Sequence, residues 1–254
     1  MAMCESKSIR IEGITYEMNL PEIPVNTVDY ETFRNFLLTR RSVRHFKDQP
    51  VPEDLLQKIV DVVSLAPYGV ASDKVEITVV SDRKMIQQAI PEISKMYQQL
   101  GKMLKLAPFR WFMRRIMSKE DANTMMNFIF PHLQKGLYDS TKEDDISRDA
   151  PAMILFHSEK GAEQRTMDAL IYTTYAFLAA HSLGLGATVI GLIGPGINQN
   201  KKLKELYKIP AGNEVIETVI IGYPKMHFKH AIVRPRKNVT ILSGKNEESN
   251  TGTF

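Results

Sequence analysis

The stretch DALIYTTYAFLAAHSLGLG, beginning at Asp168, limits what this chain can become more than any other. From Ala169 to Ala180 it carries no charge and is apolar on nearly every side of a 3.6-residue helix. A surface helix shows one polar side, so this pattern predicts a central helix that needs cover all round. Gly184 and Gly186 predict where it stops. Tyr172, Tyr175 and Phe177 within it read as core or subunit interface rather than as a cofactor box.

Other elements arrange themselves around that helix. Residues 30–38 (YETFRNFLL) read as an amphipathic helix, and residues 53–65 as a second one, with acids in its first turn and Leu55, Leu56, Ile59, Val62 and Val63 at helical spacing. Four runs rich in β-branched residues predict strands: 75–81, with the density of a buried strand, a short buried one from Pro151 (PAMILFHS), 187–193 and 214–223. Asn198 predicts the cap of a short helix reaching about Tyr207. The alternation is too loose for strict βαβ winding, so the class is α+β with one sheet.

A chain of 254 residues is expected to be one domain, 1–254, with an elaboration. Residues 1–29 form a polar lead-in, 83–146 a helical insertion and 243–254 a polar tail. The insertion holds seven of the 13 methionines, the single tryptophan (Trp111) and the basic cluster Lys102, Lys105, Arg110, Arg114 and Arg115. Several helices broken near Gly101, Pro108 and Pro131 are predicted there, closing in the charged loop STKEDDISRDA.

The 33 Lys and Arg against 29 Asp and Glu leave only +4, which argues against nucleic acid as a main partner. One cysteine, Cys4, leaves no room for an internal disulfide or a cysteine-ligated cluster and fits a reducing compartment. The first twenty residues are interrupted by charges, unlike a signal peptide, and no apolar run is long enough to cross a bilayer. A cytoplasmic protein, without membrane attachment, is expected. No phosphate loop of the GxxxxGK type, HExxH or GxSxG motif occurs. The close pair His227 and His230 reads as part of a solvated basic loop rather than a metal site.

Chemistry concentrates at Arg40-Arg41-Ser42-Val43-Arg44, with a second pair at Arg234 and Arg236. Arginine suits phosphate because its planar fork donates two parallel hydrogen bonds and keeps its charge. On their own, two such clusters also describe an ordinary solvated surface.

Together with the helix after it, the first cluster forms the segment RRSVRHFKDQPVPEDLLQKIVDVVSLAP, which resembles the opening of the nitroreductase family of FMN-dependent oxidoreductases. The later segments agree in order: PAMILF after a charged loop, a helix ending LAAHSLGLG, and IGYPK with arginines beyond it, so the resemblance runs over roughly residues 31–242. It implies a central, mostly antiparallel sheet flanked by helices, and a homodimer with FMN where the subunits meet. It assigns Arg40, Arg41 and Ser42 to the FMN phosphate region and Arg44 to the pyrimidine end of the ring, where a cation favours the reduced flavin. Ile190, Gly191 and Leu192 would lie beside the ring with a main-chain N–H directed at N5, and Arg234 and Arg236 would close over the phosphate. Pro67, Tyr68 and Gly69 match the segment that reaches the flavin of the neighbouring subunit.

The family's A-P-S-x-x-N-x-Q is replaced here by APYGVASD, so Tyr68, Ala71 and Asp73 stand where Ser, Asn and Gln are usual and polar contacts change. The implied activity passes hydride or electrons from NAD(P)H, or from a ferredoxin-type donor, through flavin N5 to a small electron-poor acceptor of nitroaromatic or quinone type. The flavin carries the chemistry, and no protein nucleophile is required. The alternative is a flavin-binding or membrane-associated module with little or no turnover. The Met-rich insertion reads first as dimer packing, second as an adaptable cover over the flavin and third as a membrane-surface segment.

Overall fold

The computed structural model describes Ser8, Arg10, Glu12 and residues 15–20, 22–25, 28–69 and 74–242. Cys4, Ala71, Asp73 and the 243–254 tail lie outside the described residues. Contacts divide the chain into two units, Met1–Thr39 with Ile232–Phe254, and Arg40–Ala231. The first contains α1 (Tyr16–Asn19) and α2 (Tyr30–Thr39). Asp29 opens α2 by accepting the Thr32 N–H (3.0 Å) and hydroxyl (2.6 Å), and none of the helix's residues is buried.

The second unit holds the sheet. Its strands are β1 (Glu76–Val80), β2 (Ala152–Glu159), β3 (Gly186–Val189) and β4 (Asn213–Gly222), in the order β1-β2-β4-β3 and antiparallel at every pairing. Around it run α3 (Glu53–Val63), α4 (Arg83–Leu104), α5 (Ala107–Ile116), α6 (Lys119–Thr124), a π-helical turn (Met125–Ile129), α7 (Phe130–Gln134), α8 (Arg165–Ser182), α9 (Ile193–Asn198) and α10 (Lys201–Leu206).

The continuous apolar run of β2 reflects cover on both faces. Successive side chains of a strand point to opposite sides. Ala152, Ile154 and Phe156 therefore join a core with α3 and α8, while Met153 and Leu155 join one with α4 and α9. β1 is an edge strand and is half exposed, not the buried strand that its composition predicts.

α8 is longer than its apolar run and is not covered on every side. Ala169, Tyr172, Thr173, Ala176, Ala179 and Ala180 are buried, but Met167, Leu170 and Thr174 form an exposed stripe. Its end is a Schellman motif: Gly184, at φ +74°, donates to the His181 carbonyl (3.1 Å), and Leu185 to that of Ala180 (2.8 Å). Gly186, predicted as a second terminator, serves packing instead, because a Cβ there would lie 2.5 Å from Val43.

Two further boundaries depart from the sequence reading. The strand predicted over 187–193 stops at Val189, and IGPGIN forms α9, leaving Asn200 rather than Asn198 to cap α10 by accepting the Lys202 N–H at 3.0 Å. Gly101 does not break the insertion, since it packs inside α4 against Leu133. Pro91 is also carried within α4, Pro108 stands in the first turn of α5, where a missing N–H costs nothing, and Pro131 follows directly on the π-helical turn in a continuous helical run. The charged loop is held by Asp144, which accepts N–H groups from Ile146, Ser147 and Asp149 at 2.8–3.0 Å.

Candidate functional site

Arg40 begins an extended segment laid along the free edge of β3. Ser42 bridges Ala187 in parallel, and the Val43 N–H donates to the Ala187 carbonyl at 3.2 Å. Further on the segment crosses to the end of β4, where Lys47 donates to the Tyr223 carbonyl (2.8 Å) and Lys225 to that of His45 (3.0 Å). Val43 points inward and is buried against Gly186. By strand alternation Ser42 and Arg44 take the opposite side.

Arg40 leads into the bridge at Ala187 near the start of β3, and by His45 and Lys47 the chain has reached Lys225 and Tyr223, next to the Gly222–Gly186 pair, so Arg44 lies toward the start of β3 and away from Val189. Arg40 is half-buried over the Phe177 ring at 5.6 Å, and burial together with the like charge of Arg41 pulls its pKa below the usual arginine value. Arg41 lies over Phe228 at 4.7 Å and donates to the His230 carbonyl at 3.3 Å. Arg44 is exposed and borders a cleft of about 150 Å³ whose other charged lining residues are Lys225, Arg148, Glu143, Asp144 and Asp149. Among the described residues none of these three arginines forms an ion pair with a carboxylate. Positive charge, part of it desolvated, is thus gathered there without a direct ion pair.

Beyond Val189 the chain turns. The Ile190 N–H donates to the Thr218 carbonyl at 2.9 Å, and the Leu192 carbonyl accepts the Tyr97 hydroxyl at 3.1 Å. Burial, then the neighbouring Tyr138, pushes Tyr97 well above the ordinary tyrosine pKa, so its proton stays in that hydrogen bond. Between these two anchors Gly191 is exposed, and a Cβ placed on it would meet nothing within 4 Å. The turn is rigid yet open on the side where a flat ligand can approach the backbone.

Pro67, Tyr68 and Gly69 lie elsewhere in the unit, with Tyr68 and Gly69 exposed. The Gly69 N–H donates to Oδ1 of Asp168 at 3.0 Å, at the start of α8, whereas Arg40 stacks at Phe177, nine residues on. At a 1.5 Å rise that is about 14 Å along the helix axis. One chain does not bring this loop to its own Arg40–Arg44 edge. Arg234 and Arg236 belong to the other unit and are exposed there. His227 and His230 are exposed, and among the described residues no group of three side chains could hold a metal ion.

Sequence reasoning missed Asp168 and Tyr97. Asp168 is buried, and a lone acid opening an otherwise apolar helix was its only signal. Tyr97 gave none, because its partner is 95 residues away. Tyr97 also shows that the insertion is not a mere cover: the inner face of α4 is core and braces the Ile190–Leu192 turn.

Known proteins share this fold. A protein of Methanothermobacter thermautotrophicus that carries the provisional name NADH dehydrogenase/NAD(P)H nitroreductase is 26% identical over 190 residues, 73% of this chain and 74% of that protein. A Bacteroides fragilis nitroreductase crystallised with bound FMN superposes with a TM-score of 0.61 at 19% identity, over 83% of this chain and 98% of its own. The NADPH:FMN oxidoreductase of Vibrio harveyi, complexed with NAD+, superposes at 0.50 with 16% identity, over 85% of this chain and 79% of its own. The sequence profile of the nitroreductase family matches residues 37–223, well over half of the length, and the chain belongs to that family.

Proposed function

We propose that this protein is an FMN-dependent oxidoreductase working as a homodimer, with NAD(P)H as electron donor and a small electron-poor compound, nitroaromatic or quinone, as acceptor. A ferredoxin-type donor is the variant of this reading, and a donor screen separates the two. The observation that carries it is what gathers at the β3 edge: guanidiniums and a hydroxyl at Arg40–Ser42 and a further guanidinium at Arg44, none in an ion pair among the described residues, and open backbone at Gly191 just past the strand's end. Cations for a phosphate beside open backbone for a flat ring suit one ligand that carries both, and the donor set fits FMN.

Arg40, Arg41 and Ser42 would bind the phosphate as charge-assisted donors. Arg44 would hold a positive charge at the pyrimidine edge of the ring, and the turn pinned by Thr218 and Tyr97 would present backbone to its centre. FMN, when bound, supplies the electron transfer itself. The resemblance adds Arg234 and Arg236 at the phosphate. Because the Pro67–Gly69 loop stands about 14 Å along α8 from Arg40, a second chain is the natural owner of the ring that this loop would meet. The exposed stripe Met167, Leu170 and Thr174 beside that loop is where cover from a partner is wanted.

Purified protein should be yellow, bleach anaerobically with NAD(P)H or reduced ferredoxin, and recolour with a nitroaromatic or quinone. A colourless protein that takes up no added FMN overturns the reading, and a yellow protein inert to every donor favours a flavin-binding module without turnover. Arg40→Ala should weaken FMN retention by at least about 1.5 kcal/mol, roughly tenfold, in an equilibrium titration. Arg44→Ala should keep FMN but lower its midpoint potential; a potential that does not move removes Arg44 from the ring.

A further inference from the structure

The insertion contains one helix that the fold does not use. α5 buries none of its ten residues, although it carries Trp111, 66% exposed, Phe112, 50%, and Ile116, 60%, and comes directly after Leu106, 61%. α4 just before it buries eight residues, so this exposure is not a property of the whole insertion. Clustered large apolar side chains left in water mark a surface that meets something.

The charge around them says what. Between positions 93 and 118 lie Lys95, Lys102, Lys105, Arg110, Arg114 and Arg115, and not one Asp or Glu. Among the described residues none of the six forms an ion pair with a carboxylate. Arg110 turns inward to the carbonyls of Leu104 (2.8 Å) and Lys105 (2.9 Å) and fixes the corner between α4 and α5. Arg115 stacks over Trp111 at 5.7 Å, leaving a cation beside an outward indole.

We propose that α5 docks the protein on an anionic lipid surface, with Trp111, Phe112 and Ile116 entering the headgroup boundary and Arg114, Arg115, Lys102 and Lys105 meeting lipid phosphates. Aromatic rings flanked by cations are what such an interface accepts. No described helix is long and apolar enough to cross a membrane, so this helix lies on the surface. Self-contact of α5 across a two-fold axis is the poorer alternative: it would set the cations of this face against the same cations, with no carboxylate from the segment between them. Membrane contact ranks last on sequence alone because the exposure of α5 cannot be read there. Docking through α5 is independent of the flavin reading.

Trp111 is the only tryptophan, so its emission reports on α5 directly. Vesicles with equal parts phosphatidylglycerol and phosphatidylcholine should shift the emission to the blue and pellet the protein, increasingly so as salt is lowered, whereas pure phosphatidylcholine should do neither. Arg114→Ala with Arg115→Ala should weaken binding roughly thirtyfold. The Lys versions of both should retain it, and Phe112→Ser should lose the blue shift with the fold, followed by circular dichroism, unchanged. No shift and no pelleting on anionic vesicles at low salt overturns the proposal. So does a blue shift that appears without vesicles and grows with protein concentration, which would mean that a second copy covers the face.

Discussion

Replacing Gly186 with alanine is expected to destabilise the protein by about 3 kcal/mol and to impair FMN binding with it. An added Cβ would lie 2.5 Å, 2.6 Å and 2.8 Å from Cγ2, Cβ and Cγ1 of Val43. The contact is made near the backbone of a β-branched side chain whose χ1 has little freedom, so rotation cannot relieve it. The strand edge must separate, stretching the 3.2 Å hydrogen bond from Val43 to Ala187 and carrying Arg40, Ser42 and Arg44 outward. Urea unfolding and an FMN titration read the two effects. Adding Val43→Ala to Gly186→Ala should restore much of the loss, a coupling expected only if this contact is the cause. A loss below about 1 kcal/mol in the single variant would mean that the edge is loosely fitted.

Asp144→Ala should cost about 3 kcal/mol at neutral pH. Its carboxylate accepts three backbone N–H groups, the Gln87 amide at 2.9 Å and the Ser147 hydroxyl, and removal strands buried donors of the 144–149 loop. Burial raises the carboxyl pKa, but the hydrogen bonds from Ser147, Gln87 and the backbone outweigh it and leave the group below the ordinary value of 3.8. A folded pKa below the unfolded one gives stability that is fully present above the unfolded value and is lost as pH falls through the folded one. The gap between wild type and variant should therefore hold from neutrality down to about pH 4 and narrow only in stronger acid. Urea unfolding across that range checks it, and a gap that is constant at every pH would assign the loss to packing instead.

Features set by local pattern were legible in the chain. The unbroken apolar run of β2 announced a buried strand, and the RRSVR segment with its adjoining helix carried enough of the family pattern to identify the family. What failed was decided at long range. β1 has the composition of a core strand, yet it is half exposed because the sheet ends there. IGPGIN has poor intrinsic helix formers, but packing overrides propensity: Gly196 is there because Ile93 of α4 would meet a Cβ at 2.7 Å. Gly101 was read as a break, and Leu133 makes it a close contact. Asp168 and Tyr97 hold the two loops of the candidate site, and each finds its partner far away in sequence.

The Gly69–Asp168 hydrogen bond at one end of α8 and the Arg40–Phe177 stacking further along give that helix a second role, as a ruler. Nine residues separate the two attachments, and one residue more or fewer would shift them by 1.5 Å and turn them by about 100° about the axis. Side chains along α8 can therefore drift while packing is satisfied, but its count cannot. Length, rather than any single residue between Asp168 and Phe177, is what the two halves of the site hold in common.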